Sequence, residues 1–274
     1  MEFCFIYNEV MFRVSCIQLC SGDCIENNLA KTKKLIIKAV KQKSNLIITP
    51  EVSSLFSLNK KQLMKKATSM NNDFYLKGIK KLAKLYKKWI LIGSLIIKEK
   101  NKLYNRSVLI DPKGSIKTYY DKIHMYDAKL SKKEIYNESK LFNAGKKIKI
   151  FNLPWGKIGL SICFDLRFPQ MYREMSKKGA LFLTIPSAFT ETTGKRHWQT
   201  LLKARAIENF CYIFAPAQGG KHCNGRRTFG NSLIVSPDGK ILKQLKKTED
   251  VITCQINPLE AKKLRKIIPS LNKN

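Results

Sequence analysis

Strand-like apolar runs alternate with helical periodicity along most of this chain, and that alternation constrains its architecture more than any other feature. Residues 12–19 read as a strand. Residues 25–43 then bring Leu29, Leu35, Ile36 and Val40 together at helical spacing. The short run 46–49 reads as a buried strand ended by Pro50. Residues 60–88 read as helix, with a break expected near Asn71-Asn72. A strand over 89–97 follows, and 103–110 with 115–120 make a hairpin across Asp111-Pro112-Lys113-Gly114. The stretch 121–147 reads as long and irregular. Beyond it, strands over 148–151 and 157–162 lead into a helix over 169–178, a strand over 181–185 and a helix over 194–210. Strands over 211–217, 229–235, 241–245 and 251–256 follow, then a helix over 258–266. Elements that alternate in places and pair as hairpins in others predict a mixed-sheet α/β layer fold. No linker, repeat or low-complexity break divides it, so one domain is expected over 11–271. Residues 1–10 look detached from it, a non-native or misassigned extension, with Met11 as an alternative start.

Composition narrows the function classes. With 44% hydrophobic residues in 274, the chain needs no disulfides to hold a core. Its eight Cys follow no secreted framework and no charged, then apolar, leader is seen, so reduced thiols in a cytoplasm are expected. Cys16, Cys20 and Cys24 lie four apart, but no His joins them and no metal is expected there. The longest nearly apolar run, 89–97, is far short of the roughly 20 residues that cross a bilayer, so no membrane partner is expected. Net charge is +32, from 52 Lys+Arg against 20 Asp+Glu. Only 9 of those 52 are Arg, the residue whose planar fork matches phosphates and guanine edges. The balance reads as a solvated lysine coat that attracts acidic small molecules, with no specific nucleic-acid partner. A polyanion-binding scaffold is the non-enzyme alternative.

Common cofactor signatures are missing: there is no G-x-G-x-x-G, no G-x-x-x-x-G-K-[ST] and no H-E-x-x-H. What remains is a cysteine. Residues 159–169 run from a buried strand through Cys163 into a turn before a helix. A thiol at such a strand end faces backbone N–H groups that lower its pKa and can bind an oxyanion. A cysteine nucleophile also needs a base. His124 and His197 could pair with it in the manner of a protease; Glu51, just past a buried strand, and Lys122 are the other candidates. Spacing alone does not choose among them.

Three segments decide the matter by resemblance. Thr49-Pro50-Glu51, Asp121-Lys122-Ile123-His124-Met125-Tyr126-Asp127 and Ile162-Cys163-Phe164-Asp165-Leu166-Arg167-Phe168-Pro169 resemble, in order, the three signatures of the nitrilase (carbon–nitrogen hydrolase) superfamily. The likeness continues through Tyr136-Asn137-Glu138-Ser139, Asn143-Ala144-Gly145, Pro186-Ser187-Ala188-Phe189, Thr193-Gly194, His197-Trp198, Ala204-Arg205-Ala206-Ile207-Glu208 and Gly230-Asn231-Ser232. It covers nearly everything from Met11 to Leu271.

The resemblance implies an α-β-β-α sandwich and a catalytic triad of Glu51, Lys122 and Cys163, with Glu138 beside the lysine. It implies that Cys163 attacks a carboxamide carbon while Glu51 takes its proton. Lys122 and the Phe164 backbone N–H would hold the oxyanion, and a thioester would then be hydrolysed to give acid plus ammonia. No metal or organic cofactor is implied. Within the superfamily the motifs look most like the amidases that repair deaminated glutathione. The ω-amidases of 2-oxo acid amides come second; N-carbamoyl amino-acid hydrolases and true nitrilases are further alternatives. Both leading branches take small acidic amides, and Arg167, Phe189 and Thr190 are expected to line the substrate pocket. Arg205 and Glu208, one helical turn apart, read as scaffold, and His197 and Trp198 as packing. Phe164 and Asn231 stand where the family usually has Tyr and His; the second leaves a local hydrogen bond open. A homodimer is implied across a face near the helix that follows Cys163, where Tyr172 and Met175 read equally well as an apolar patch or as core.

Overall fold

Two six-stranded sheets stack face to face, each with helices packed on its outer side. The computed structural model describes residues 11–132 and 134–271, so the N-terminal extension expected over residues 1–10 lies outside the described residues. One sheet orders its strands Asp250–Ile256, Phe12–Gln18, Leu46–Ile48, Trp89–Glu99, Lys102–Ile110, Ile116–Asp121. The other orders Ile241–Gln244, Leu233–Val235, Tyr212–Ala215, Ala180–Thr184, Gly156–Leu160, Lys149–Leu153. Both have a parallel centre: 12–18, 46–48 and 89–99 in the first, 156–160, 180–184 and 212–215 in the second. The outer pairs are antiparallel. Parallel neighbours need crossovers. The helices Ile25–Lys41, Phe74–Tyr86, Pro169–Lys177 and Glu191–Asn209 supply them.

Burial on both faces explains why the central strands are apolar at nearly every position. In the first sheet Val14, Cys16, Leu46, Ile48 and Leu91 join the core shared with the second sheet, whereas Ile17, Ile47, Ile90 and Ile92 pack toward the helices 25–41 and 74–86. The architecture is the α-β-β-α sandwich with mixed sheets.

Local departures from the sequence reading have local causes. The region 60–88 is two helices, Lys60–Lys66 and Phe74–Tyr86, and Asp73 caps the second by accepting from the Leu76 N–H at 2.7 Å. The stretch 121–147 carries a small antiparallel pair, Asp127–Lys129 with Ile135–Asn137. The strand expected over 229–235 is divided, because Gly230 and Asn231 both have positive φ, 65° and 57°. Arg227–Phe229 instead pairs with Gly219–Lys221. Tyr172 and Met175 are fully buried, so they are core and offer no docking patch. Among the described residues no helix is long and apolar enough to cross a membrane.

Candidate active site

Each sheet presents one reactive side chain just past the carboxyl end of a parallel strand, the edge where ligands of α/β sheets gather. Glu51 lies three residues beyond Leu46–Ile48, and Cys163 three beyond Gly156–Leu160. Lys122 directly follows Ile116–Asp121, and Glu138 follows Ile135–Asn137. The sandwich thus brings four residues that are far apart in the chain to one cleft.

The two loops are strained and braced. Cys163 has φ 50°, a left-handed conformation that a non-glycine residue holds only when its surroundings over-determine it. Its N–H donates to the Pro186 carbonyl at 2.9 Å. The buried Asp165 carboxylate accepts from the Ile162 N–H at 2.8 Å, the Tyr120 hydroxyl at 2.7 Å, and the His124 backbone N–H and Nδ1 at 3.0 and 2.7 Å. Arg205 donates to the Leu166 carbonyl at 3.0 Å and pairs with Glu208 at 2.9 Å, so it steadies the same turn from the helix 191–209. Beside Glu51, the β-branched Val52 has φ 48°, and its N–H donates to Ser94 Oγ at 2.7 Å. The loop presses so close to the next strand that a Cβ on Gly93 would lie 2.0 Å from the Thr49 carbonyl oxygen.

At the bottom of the cleft the charges interlock. Lys122 Nζ donates to Glu51 Oε1 at 3.0 Å and to Glu138 Oε1 and Oε2 at 2.9 and 2.7 Å. Asn105 Nδ2 donates to Glu51 Oε1 at 2.9 Å and to Glu138 Oε1 at 3.3 Å. The other Glu51 oxygen accepts from the Ala188 N–H at 2.8 Å. Lys122 is only 1% exposed, so its charge is supportable only against these two carboxylates. Burial alone would lower its pKa, but Glu138 and Glu51 outweigh burial and hold the ammonium above its ordinary range. Burial would likewise raise Glu51. The Lys122 charge and hydrogen bond, the Cys163 thiol and the Arg226 charge together keep it below the ordinary carboxylate range.

The thiol departs from the sequence reading. Burial, reinforced by the Glu51 charge, pushes Cys163 above the ordinary thiol range; Lys122 and the Ala188 N–H only partly offset this. Burial thus favours the neutral thiol, while Lys122 favours the charged form of the carboxylate beside it. Such a sulfur becomes nucleophilic only as its proton moves, and Glu51, in the same cavity, is the carboxylate placed to receive it. The two histidine alternatives point elsewhere. His124 binds Asp165 and stacks on Phe168 at 3.5 Å, and His197 Nδ1 meets Arg167 Nη2 at 3.2 Å. Trp198 is core, its Nε1 donating to the Asn231 carbonyl at 2.9 Å. Asn231 closes its own local bond, Nδ2 to the Phe229 carbonyl at 2.7 Å.

Above this floor opens a cavity of about 310 Å³, lined by Glu51, Asn105, Lys122, Glu138 and Cys163 below and by Phe56, Tyr126, Ile135, Tyr136, Phe142 and Arg226 above. The residues expected to line the substrate pocket border a second, smaller space next to Cys163. Arg167, Phe189 and Thr190 border a crevice of about 10 Å³, which has room for about one water. Arg167 lies over the Phe164 and Phe189 rings at 5.8 and 5.6 Å, and Thr190 caps the helix 191–209 through the Thr193 N–H at 3.2 Å. Both spaces share Tyr126, Cys163 and Ala188. Among the described residues the Phe164 N–H has no backbone acceptor, while the Phe164 ring tilts against Tyr126 at 5.1 Å. Sequence reasoning missed Asn105 and Arg226. The signal for Asn105 was a polar residue in the middle of the strand Lys102–Ile110; for Arg226 there was none beyond the scarcity of Arg.

The carbon–nitrogen hydrolase family model matches residues 13–266. The deaminated glutathione amidase of Yersinia enterocolitica is 36% identical over 267 residues, covering 95% of this chain and 92% of that protein. Its namesake from Dictyostelium discoideum is 39% identical over 245 residues, covering 85% of this chain and 83% of that protein. Among solved structures, the NitFhit protein of C. elegans aligns over 96% of this chain with a TM-score of 0.90 and 33% identity, and the chain spans 65% of that longer protein. A carbon–nitrogen hydrolase from Helicobacter pylori G27, 24% identical, shares the fold with a TM-score of 0.86 over 97% of this chain and 96% of its own.

Proposed function

The chain belongs to the carbon–nitrogen hydrolase family, and from that premise we propose a small-molecule amidase with Cys163 as nucleophile, Glu51 as general base and Lys122 as oxyanion clamp. The observation that carries this reading is that Glu51, bonded to the Lys122 ammonium at 3.0 Å, lines one cavity together with Lys122 and Cys163.

Each step follows from the charges present. Glu51 removes the thiol proton as sulfur bonds to the amide carbon, and the carbonyl electron pair moves onto oxygen. Lys122 and the Phe164 N–H meet that oxyanion. Glu51 returns the proton to the nitrogen, the C–N bond breaks, and ammonia or an amine leaves a thioester on Cys163. Glu51 then deprotonates a water that attacks the thioester; the acid departs and the thiolate recovers its proton. Lys122, clasped by two carboxylates, stays charged throughout and serves as an electrostatic clamp, not as a base. Glu138 aims the ammonium without touching the reacting atoms. Arg167, Phe189 and Thr190, which border Cys163 in the smaller crevice, line the substrate pocket's second edge in this scheme.

The substrate class we propose is a small linear acidic amide, of the kind named for the relatives from Yersinia enterocolitica and Dictyostelium discoideum. A cytoplasmic setting and a homodimer belong to the same proposal and rest on the family resemblance. The test is a panel: deaminated glutathione, a 2-oxo acid ω-amide, an N-carbamoyl amino acid and an aliphatic nitrile, scored by acid product because the leaving nitrogen differs among them. Acid from the two amides, lost in Cys163→Ala, is the expected result. Turnover of only the nitrile or the carbamoyl compound, or a Cys163→Ala protein as active as the wild type, would reject it.

A further inference from the structure

The loop before the strand Arg227–Phe229 carries two adjacent arginines with opposite fates. Arg227 is exposed and reaches Glu191 at 4.0 Å. Arg226 turns inward and lines the same cavity as Glu51, Lys122 and Cys163. Its guanidinium lies over the Tyr136 ring at 4.9 Å and the Phe56 ring at 5.4 Å, contacts that hold a cation without using its N–H groups. One donor is used, Nη2 to the Ala188 carbonyl at 2.8 Å. Nε is buried with no partner, and among the described residues no carboxylate lies within ion-pair distance of the group. Arg226 is thus a fork of donors held rigidly over the cavity with most of its capacity unspent.

We propose that Arg226 determines specificity by gripping a carboxylate at the far end of the substrate's acyl chain, so that the enzyme selects amides of dicarboxylic acids over neutral amides. This rests on the amidase reading above and adds the residue that would enforce it. The floor of the site argues for such a grip. Glu51 and Glu138 repel an anionic substrate, and Lys122 is already neutralised by both. An acidic substrate therefore needs a second cation, and a planar guanidinium binds a carboxylate through two parallel hydrogen bonds. Distance fits as well. The single residue Ala188 links the two ends, its N–H on Glu51 and its carbonyl on Arg226, both at 2.8 Å. Summing bond lengths, Arg226 Nη2 lies at most about 10 Å from the Glu51 carboxylate, so a grip there is within reach of a short acyl chain held at the floor of the cavity.

The probes are glutaramate and valeramide, amides of the same chain length that differ in a terminal carboxylate. Arg226→Met should lower the ratio of kcat/KM for glutaramate over valeramide about 100-fold, chiefly through KM, and Arg226→Lys should recover part of it, as a point charge without the fork. In parallel, calorimetry of glutarate with Cys163→Ala protein should show binding that weakens about 100-fold when Arg226→Met is added. An unchanged ratio, or glutarate held equally well without Arg226, overturns the proposal and leaves the amidase reading intact. Glutarate binding that depends on Arg226 in a protein that hydrolyses no amide would sustain the carboxylate grip while rejecting the amidase. If Arg226→Met does not fold, the Arg226→Lys ratio and glutarate affinity decide: both must fall, and neither falling overturns the proposal.

Discussion

Exchanging Lys122 for methionine should cost about a thousandfold in kcat/KM, because the oxyanion loses its charged donor and the base loses its counter-ion. Methionine is similar in length, so shape is nearly kept and charge is what changes. The variant leaves Glu51 and Glu138 facing each other across Asn105, and breaking a buried ion cluster by removing one partner costs about 3 to 5 kcal/mol. The pH dependence gives the loss a signature. In the wild type Glu51 is held below its ordinary value of 4.5 and Lys122 above its ordinary value of 10.5. The Glu51 contribution is present above pH 4.5 and fades as pH falls through its lowered pKa; that of Lys122 is present below pH 10.5 and fades as pH rises through its raised one. Without the ammonium, two carboxylates sharing one site drive one pKa up. The stability deficit of Lys122→Met is then largest at neutral and alkaline pH and narrows as the medium becomes acidic enough to protonate one of them. Urea unfolding at pH 5 and pH 8 reads this directly. A deficit that grows on acidification, or a variant within tenfold of wild-type activity, would remove Lys122 from the role assigned to it.

The second large effect is expected from Glu51→Gln. The amide keeps the shape but accepts at one end only, whereas the carboxylate accepts from Lys122 and Asn105 on one oxygen and from the Ala188 N–H on the other. Its NH₂ must therefore face a donor, and it cannot take the thiol proton or activate water. A positioned general base is worth about 10²- to 10⁴-fold, and Glu51 serves in both half-reactions, so the loss is expected toward the upper end. Because the neutral carboxyl is inactive and the Glu51 pKa is held low, the wild-type kcat/KM should stay level down to the ordinary carboxylate range and fall only below it. That limb belongs to the interacting Glu51, Lys122 and Cys163 cluster as a whole. A limb near pH 6 to 7, where histidine ordinarily titrates, would instead reopen the His124 and His197 readings.

Much of this arrangement was legible in the chain itself. Strand and helix alternate with the period of burial, and the turn after residues 157–162 marks Cys163 as a presented thiol. What spacing could not say is which distant group meets that thiol. Glu51 and Cys163 come from different sheets, and their meeting depends on how the sheets stack, a tertiary fact that the signatures imply only through the family. The thiol pKa runs opposite to the local expectation for a related reason. Backbone N–H groups at a strand end are local, whereas the burial and the Glu51 charge that outweigh them are assembled by the fold. Arg226 and Arg227 look alike in sequence, and only the inward turn of one beside Phe56 and Tyr136 tells them apart. Arg167, which the sequence offers as a pocket cation because it follows the nucleophile closely, borders the smaller crevice beside Cys163 and meets His197 and two aromatic rings. Asn231 shows the opposite case: a left-handed residue whose side chain bonds the carbonyl two positions back, so its own local hydrogen bond is made.

The most direct measurement is the mass of the protein quenched in acid during turnover of an amide substrate. A gain equal to the acyl group, carried on the peptide that contains Cys163 and absent from Cys163→Ala, is the result this chemistry requires. Steady turnover with an unmodified Cys163 peptide at every quench time, matched by an active Cys163→Ala protein, would contradict it.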